Sequence, residues 1–140
     1  MSTNIGLEHI YLTGFADEAA QDLVGQINAT KALGWNANES RSIDGKNIHD
    51  ISDAAFDAVC EQLESSGVSI NCFSSTIANW GKNIEDPFDI TLVEIERAIP
   101  RMQRLGTKMV RIMSYAWCKG DDQHPEERFR RLREIVRLFN

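Results

Sequence analysis

With 140 residues, 42% of them hydrophobic and 26% charged, the chain has the length and composition of a folded domain with its own core. Its formal net charge of −6 argues against a grip on nucleic acid or on an anionic membrane, since both need clustered basic residues. No apolar run approaches the ~20 residues of a membrane span. Met1-Ser2-Thr3-Asn4 lacks the basic and apolar regions of a secretory signal. Cys60, Cys72 and Cys118 are odd in number and form no CxxC, which fits free thiols in a reducing cytoplasm.

In chain order, residues 8–15 (Glu-His-Ile-Tyr-Leu-Thr-Gly-Phe) predict a first strand, being rich in aromatic and β-branched types. Asp17 stands where it can cap a helix carrying Leu23, Val24 and Ile27 at helical spacing, with Gly34 as its left-handed stop. Trp35 to about Arg41 predicts a second strand, and Asp44-Gly45 after it has a turn signature. Ser52 or Asp53 caps the next helix, whose stripe is Phe56, Val59, Cys60 and Leu63 and whose stop is Gly67. Residues 68–73 predict the third strand, leading into Ser74-Ser75-Thr76 and a loop of about a dozen residues. Asp86-Pro87 opens a third helix with Leu92, Ile95, Ile99 and Met102 inward and Gly106 at its end. Pro100 interrupts that helix, but the apolar spacing runs through it, which predicts one kinked helix. Residues 108–115 predict the fourth strand. Pro125 starts the last helix, with Phe129, Leu132, Val136 and Phe139 as its buried stripe. Glu126–Arg130 and Glu127–Arg131 are i,i+4 pairs on its outer face.

Four strand–helix units imply right-handed crossovers and a parallel sheet covered by helices. The fold class is therefore α/β. The units make either the first half of a (β/α)8 barrel or a small open doubly wound sheet. Asn140 follows an apolar helix directly, and half a barrel leaves parallel strand edges bare. The expectation is a single partial domain, residues 1–140, forming the front half of something longer.

Candidate site residues cluster where strands give way to loops, the place α/β sheets use for ligands. Glu39 and Arg41, two apart on a strand, share a face with Ala37, and a mutual ion pair would account for them without a ligand. Asn38 then points toward the helices, where an apolar residue is expected. Arg111 lies mid-strand between Val110 and Ile112. It must meet a carboxylate or a bound anion, and Glu39 is a candidate partner. Ser74, with Ser75, Thr76, Ser114 and Tyr115, ends a strand and can hydrogen-bond hydroxyls. His9, His49 and His124 are scattered, without metal-ligand spacing. No GxGxxG, phosphate-binding loop or nucleophile elbow is present.

The runs Phe15-Ala-Asp-Glu-Ala19, Leu33-Gly-Trp35 leading to Glu39-Ser-Arg-Ser-Ile-Asp-Gly-Lys-Asn47, Ser66-Gly-Val68 and Arg111-Ile-Met-Ser-Tyr115 resemble the xylose isomerase-like TIM barrels. The resemblance is to the sugar phosphate isomerase/epimerase group related to inosose dehydratases, over the first half of that family's length. It implies a divalent metal chelating a sugar or polyol at the barrel mouth, while carboxylates move a proton through an enediolate. The family's metal ligands come from strands five to eight, so neither metal ligands nor catalytic residues are expected in this chain. Glu39, Arg41, Ser74 and Arg111 are left as substrate-binding residues, with the arginines suited to phosphate or carboxylate. Two alternatives stand beside the isomerase. One is an endonuclease IV-like phosphodiesterase, disfavoured by the acidic loops at Asn83–Asp86 and Gly120–Asp122. The other is a non-catalytic half-barrel that self-associates through its strand edges.

Overall fold

The structure is a computed structural model that describes residues 10–140. Its first segment departs from the sequence expectation. Ile10–Gly14 forms no strand, and Phe15 alone makes a parallel bridge to Glu39, while the Glu39 amide donates to the Gly14 carbonyl at 2.9 Å. Glu8 and His9, the start of the expected strand, lie outside the described residues. A 3-10 turn, Ala16–Glu18, follows, then helix α1, Leu23–Ala32. Asp22, not Asp17, caps α1, through a side-chain bond from the Gly25 amide at 3.3 Å. The approach requires glycine, since a Cβ on Gly25 would stand 2.6 Å from the Asp22 carboxylate. Asp17 has other work at the site.

Strand β1, Ala37–Ser40, leads to a hairpin of β2, Ser42–Ile43, and β3, Lys46–Asn47. Asp44 and Gly45, both at positive φ, form its two-residue turn, the conformation that twists two strands back on each other. Helix α2, Asp53–Ser66, starts at Ser52, whose hydroxyl accepts from the Ala55 amide, and stops at left-handed Gly67. Its inward stripe is Phe56, Val59, Cys60 and Leu63, as the spacing predicts. Strand β4, Ser69–Ser74, precedes α3, Asp89–Leu105. This helix begins two residues after Pro87 and runs unbroken through Pro100. The carbonyl that Pro100 leaves without an amide is on the exposed side.

Strand β5 is only Met109–Arg111. Beyond it the amides of Met113, Tyr115 and Ala116 donate to carbonyls of Ile77, Ala78 and Lys82, so a loop takes the donors that a longer strand would have given its neighbour. Helix α4, Pro125–Phe139, starts at Pro125 as expected.

The sheet order is β1-β4-β5, all parallel, with Phe15 against the other side of β1. Each strand therefore lies beside its predecessor in sequence. A doubly wound sheet reverses that order partway, whereas a barrel never does. The molecule is an α/β arc of four consecutive units, half of a (β/α)8 arrangement. Its core lies between sheet and helices, where Ile70, Phe73, Ile77, Val59, Ile95 and Ala98 are all buried.

Helix α4 overturns one expectation. Phe129, Leu132 and Val136 are 61%, 41% and 51% exposed, and only Arg131 and Ile135 are buried. Leu138 and Phe139 pack partly against the core. Glu127 pairs with both Arg130 and Arg131, at 2.7 Å each, rather than Glu126 with Arg130. No helix among the described residues is long and apolar enough to cross a membrane.

Candidate functional site

Strand register builds the concave face. Ser74 of β4 stands opposite Arg111 of β5, and Glu39 of β1 opposite Cys72. A bulge between Asn38 and Glu39 puts one extra residue, Asn71, on β4. Without it the two-residue period could not bury both Ile70 and Phe73 against the helices. With it, Cys72 and Ser74 fall on the face of Glu39.

Three of the four residues singled out from the sequence meet there. The Ser74 hydroxyl donates to Glu39 Oε1, and the same oxygen stands 3.6 Å from Arg111 Nε. At that distance Glu39 and Arg111 form an ion pair without a hydrogen bond, and Arg111 Nε, though buried, has no hydrogen-bond acceptor among the described residues. The Cys72 thiol beside them is pushed up to about 11, first by burial and then by the Glu39 carboxylate.

Arg41 is placed differently. Its guanidinium makes a two-pronged bond to Asp17, at 2.8 and 3.0 Å, and a third to Glu18 at 2.7 Å. These bonds raise the Arg41 pKa. Asp17 also accepts from the Ser42 amide at 3.2 Å, which ties the turn before α1 to the strand end after β1. The Phe15 ring joins the two halves of the face, with Arg41 Cζ 4.4 Å and Arg111 Cζ 5.5 Å from its centroid. Arg41 thus pairs with Asp17 and Glu18, not with Glu39, through its Nε and Nη2 donors.

Beneath the face, His49 holds the strand-end loop in register. It is 1% exposed. Its Nδ1 accepts from the Thr76 amide at 3.1 Å and Nε2 faces the Glu94 carbonyl at 2.9 Å, so the proton sits on Nε2. Burial lowers the His49 pKa. Asn47 Nδ2 donates to the Ser74 carbonyl at 3.1 Å, so the segment after β1 fixes the end of β4 from two sides. Ser75, Thr76 and Tyr115 serve structure here: Ser75 donates to the Arg111 carbonyl at 2.7 Å, and Tyr115 pairs with Thr91 at 2.9 Å. Asn38, the polar residue expected to face the helices, does so. Its amide donates to Thr30 Oγ1 at 2.9 Å, and Thr30 donates in turn to the Gln26 carbonyl.

Phe15, Asp17 and His49 were missed as members of the site by sequence reasoning. Asp17 resembled a helix cap, and His49 has no spacing signal, because its partners lie 27 and 45 residues away. The donor set does not fit a divalent ion. Glu39 Oε1 already accepts a hydrogen bond from the Ser74 hydroxyl and faces a guanidinium. Among the described residues no group of three or more His, Cys, Asp or Glu could hold a metal.

No protein-family model matches the chain, and no curated protein does. Among solved structures, a xylose isomerase-like TIM barrel protein from Mycobacterium smegmatis, crystallised in complex with magnesium, superimposes with a TM-score of 0.60 at 14% identity. The match takes in 91% of this chain. The likeness is one of fold. This chain spans about half of that structure, 50% of its length, so the four units described here correspond to half a barrel.

Proposed function

We propose that this chain contributes the substrate-holding half of a sugar or polyol isomerase or epimerase barrel. One observation carries the reading: Glu39, Ser74 and Arg111 converge on the concave face with an acceptor and a cationic donor side by side. A carboxylate next to a guanidinium can take and give hydrogen bonds to neighbouring hydroxyls, which orients a polyhydroxylated chain. The likeness to a barrel crystallised with magnesium supports a divalent ion in the completed site, where it would stabilise charge on the substrate oxygens. On this reading the metal ligands and proton-transferring groups belong to further β/α units. The three free cysteines support a cytoplasmic setting, and the formal net charge of −6 supports a small-molecule partner rather than nucleic acid or membrane.

Two titrations test this. A polyol such as myo-inositol should shift the NMR signals of Glu39, Ser74 and Arg111, and shifts confined to another surface would overturn the reading. Magnesium should show no stoichiometric calorimetric binding to this chain. Tight one-to-one binding would mean that the metal site is here after all.

A second reading rests on a separate observation. Phe129, Leu132 and Val136 are exposed on α4, as are Ile10, Tyr11 and Leu12 on the opposite flank. We propose that a second copy of the chain can cover these flanks. Light scattering should then give a concentration-dependent dimer, and a monomer at all concentrations would refute it.

A further inference from the structure

Resting on the reading of the concave face as a substrate surface, we infer that Glu39 is a charge filter that selects uncharged hydroxyl ligands and keeps anions from Arg111. The sequence alone favours anions, since two arginines at strand ends suit phosphate or carboxylate. The geometry sets carboxylates beside both. Arg41 spends three donor bonds on Asp17 and Glu18. Arg111 keeps its donors, but Glu39 Oε1 stands 3.6 Å from its Nε. The face therefore sets three carboxylates against two guanidinium groups. A phosphate reaching Arg111 would stand beside the Glu39 carboxylate, and like charges brought together at a partly desolvated site repel strongly.

Glu39 is not free to swing aside. Its Oε1 is held by the Ser74 hydroxyl, and Ser74 is fully buried with its carbonyl fixed by Asn47. Its side chain is 20% exposed and that of Arg111 28%, so a ligand approaching from the concave side meets both at once. A neutral polyol is not repelled, because one hydroxyl can donate to Glu39 while its neighbour accepts from Arg111.

The test uses inorganic phosphate as the probe on the 140-residue chain and on Glu39→Gln. Binding is followed at the Arg111 side-chain Nε–H resonance, with sodium chloride as the ionic-strength control. The substituted carboxamide is nearly isosteric with the carboxylate and can still accept from Ser74, so the variant removes charge with little change in shape. The native chain should show no saturable phosphate shift up to tens of millimolar. Glu39→Gln should bind phosphate at least about tenfold more tightly than the native chain. Saturable native binding at Arg111 would overturn the filter, and so would a Glu39→Gln chain that gains nothing. The native result decides alone if the variant fails to fold. A polyol titration run alongside keeps the two ideas apart: loss of polyol binding in both chains counts against the substrate-holding reading, whereas the phosphate arms report on the filter.

Discussion

Helices α3 and α4 are alike in sequence and opposite in fate. Both are amphipathic, both carry a regular apolar stripe, and both bury one arginine. In α3 the stripe is mostly used: Ile95 and Met102 are buried with Ala98 between the sheet and a helix on either side, while Leu92 and Ile99 are half-buried. In α4 the stripe Phe129, Leu132 and Val136 faces out, and the helix rests on the core through Ile135, Leu138 and Phe139. An interior unit of a β/α arc has two helical neighbours and a terminal unit has one. An apolar stripe is buried only where something packs on it. Periodicity reports that a helix has an apolar face, not that the face is covered.

The two buried arginines offer the sharpest way to break this comparison. Arg101 of α3 donates to the carbonyls of Ile48, His49 and Ile51 and to Asp53, holding the loop after β3 against the helix. Arg101→Met leaves those carbonyls buried and unpaired, and should cost about 3 to 5 kcal/mol in urea unfolding. Arg131 of α4 donates to the Asp86 carbonyl and to Glu127, so Arg131→Met should cost about half as much. Equal losses would mean that α4 is as firmly built in as α3.

Next come the apolar stripes. Ile95→Ala should cost about 2 to 4 kcal/mol, and Phe129→Ala no more than about 0.5. A large loss at Phe129, growing with protein concentration, would instead reveal a covered face and favour the self-associated reading.

The most gradual effect is in the pH dependence. Burial lowers the His49 pKa below its ordinary 6.5, so the unfolded chain takes up the proton first. Stability from a neutral His49 is fully present above about pH 6.5 and is lost as pH falls toward its folded-state value, at most about 1.4 kcal/mol per pH unit. Glu94 nearby acts in the opposite sense. Burial raises its pKa despite the pairing with Lys82, so its contribution is lost as pH rises through the folded-state value. Asp50, Lys82 and Arg101 also face His49. The difference between native and His49→Gln stabilities from about pH 5 to 7.5 therefore isolates the imidazole. Parallel curves would show that His49 is not held neutral.

Much of the scaffold was legible in the sequence because its signals are local. Ser52 and Gly67 bracket α2 as cap and stop, Pro125 starts α4, and Asp44-Gly45 turns the hairpin. The glycines before strands mark the repeating unit. Asp17 was legible only as a helix cap, since its pairing with Arg41 spans 24 residues. The last expected strand shortened to Met109–Arg111 because the loop at Ile77–Lys82 competes for its donors, and no residue within 108–115 announces that competition.

By itself the sequence determined the four helices, the three parallel strands that follow the first helix, the α/β class and the residue types at the strand ends, because propensity, capping and period act within a few residues. The tertiary structure alone decided the barrel order over a reversed sheet, the partner of each arginine, and the face of α4 that meets the core. Each of these depends on which distant segments come to lie side by side. For the same reason, the carboxylates that balance Arg41 and Arg111 were undecided until Asp17, Glu18 and Glu39 were placed beside them.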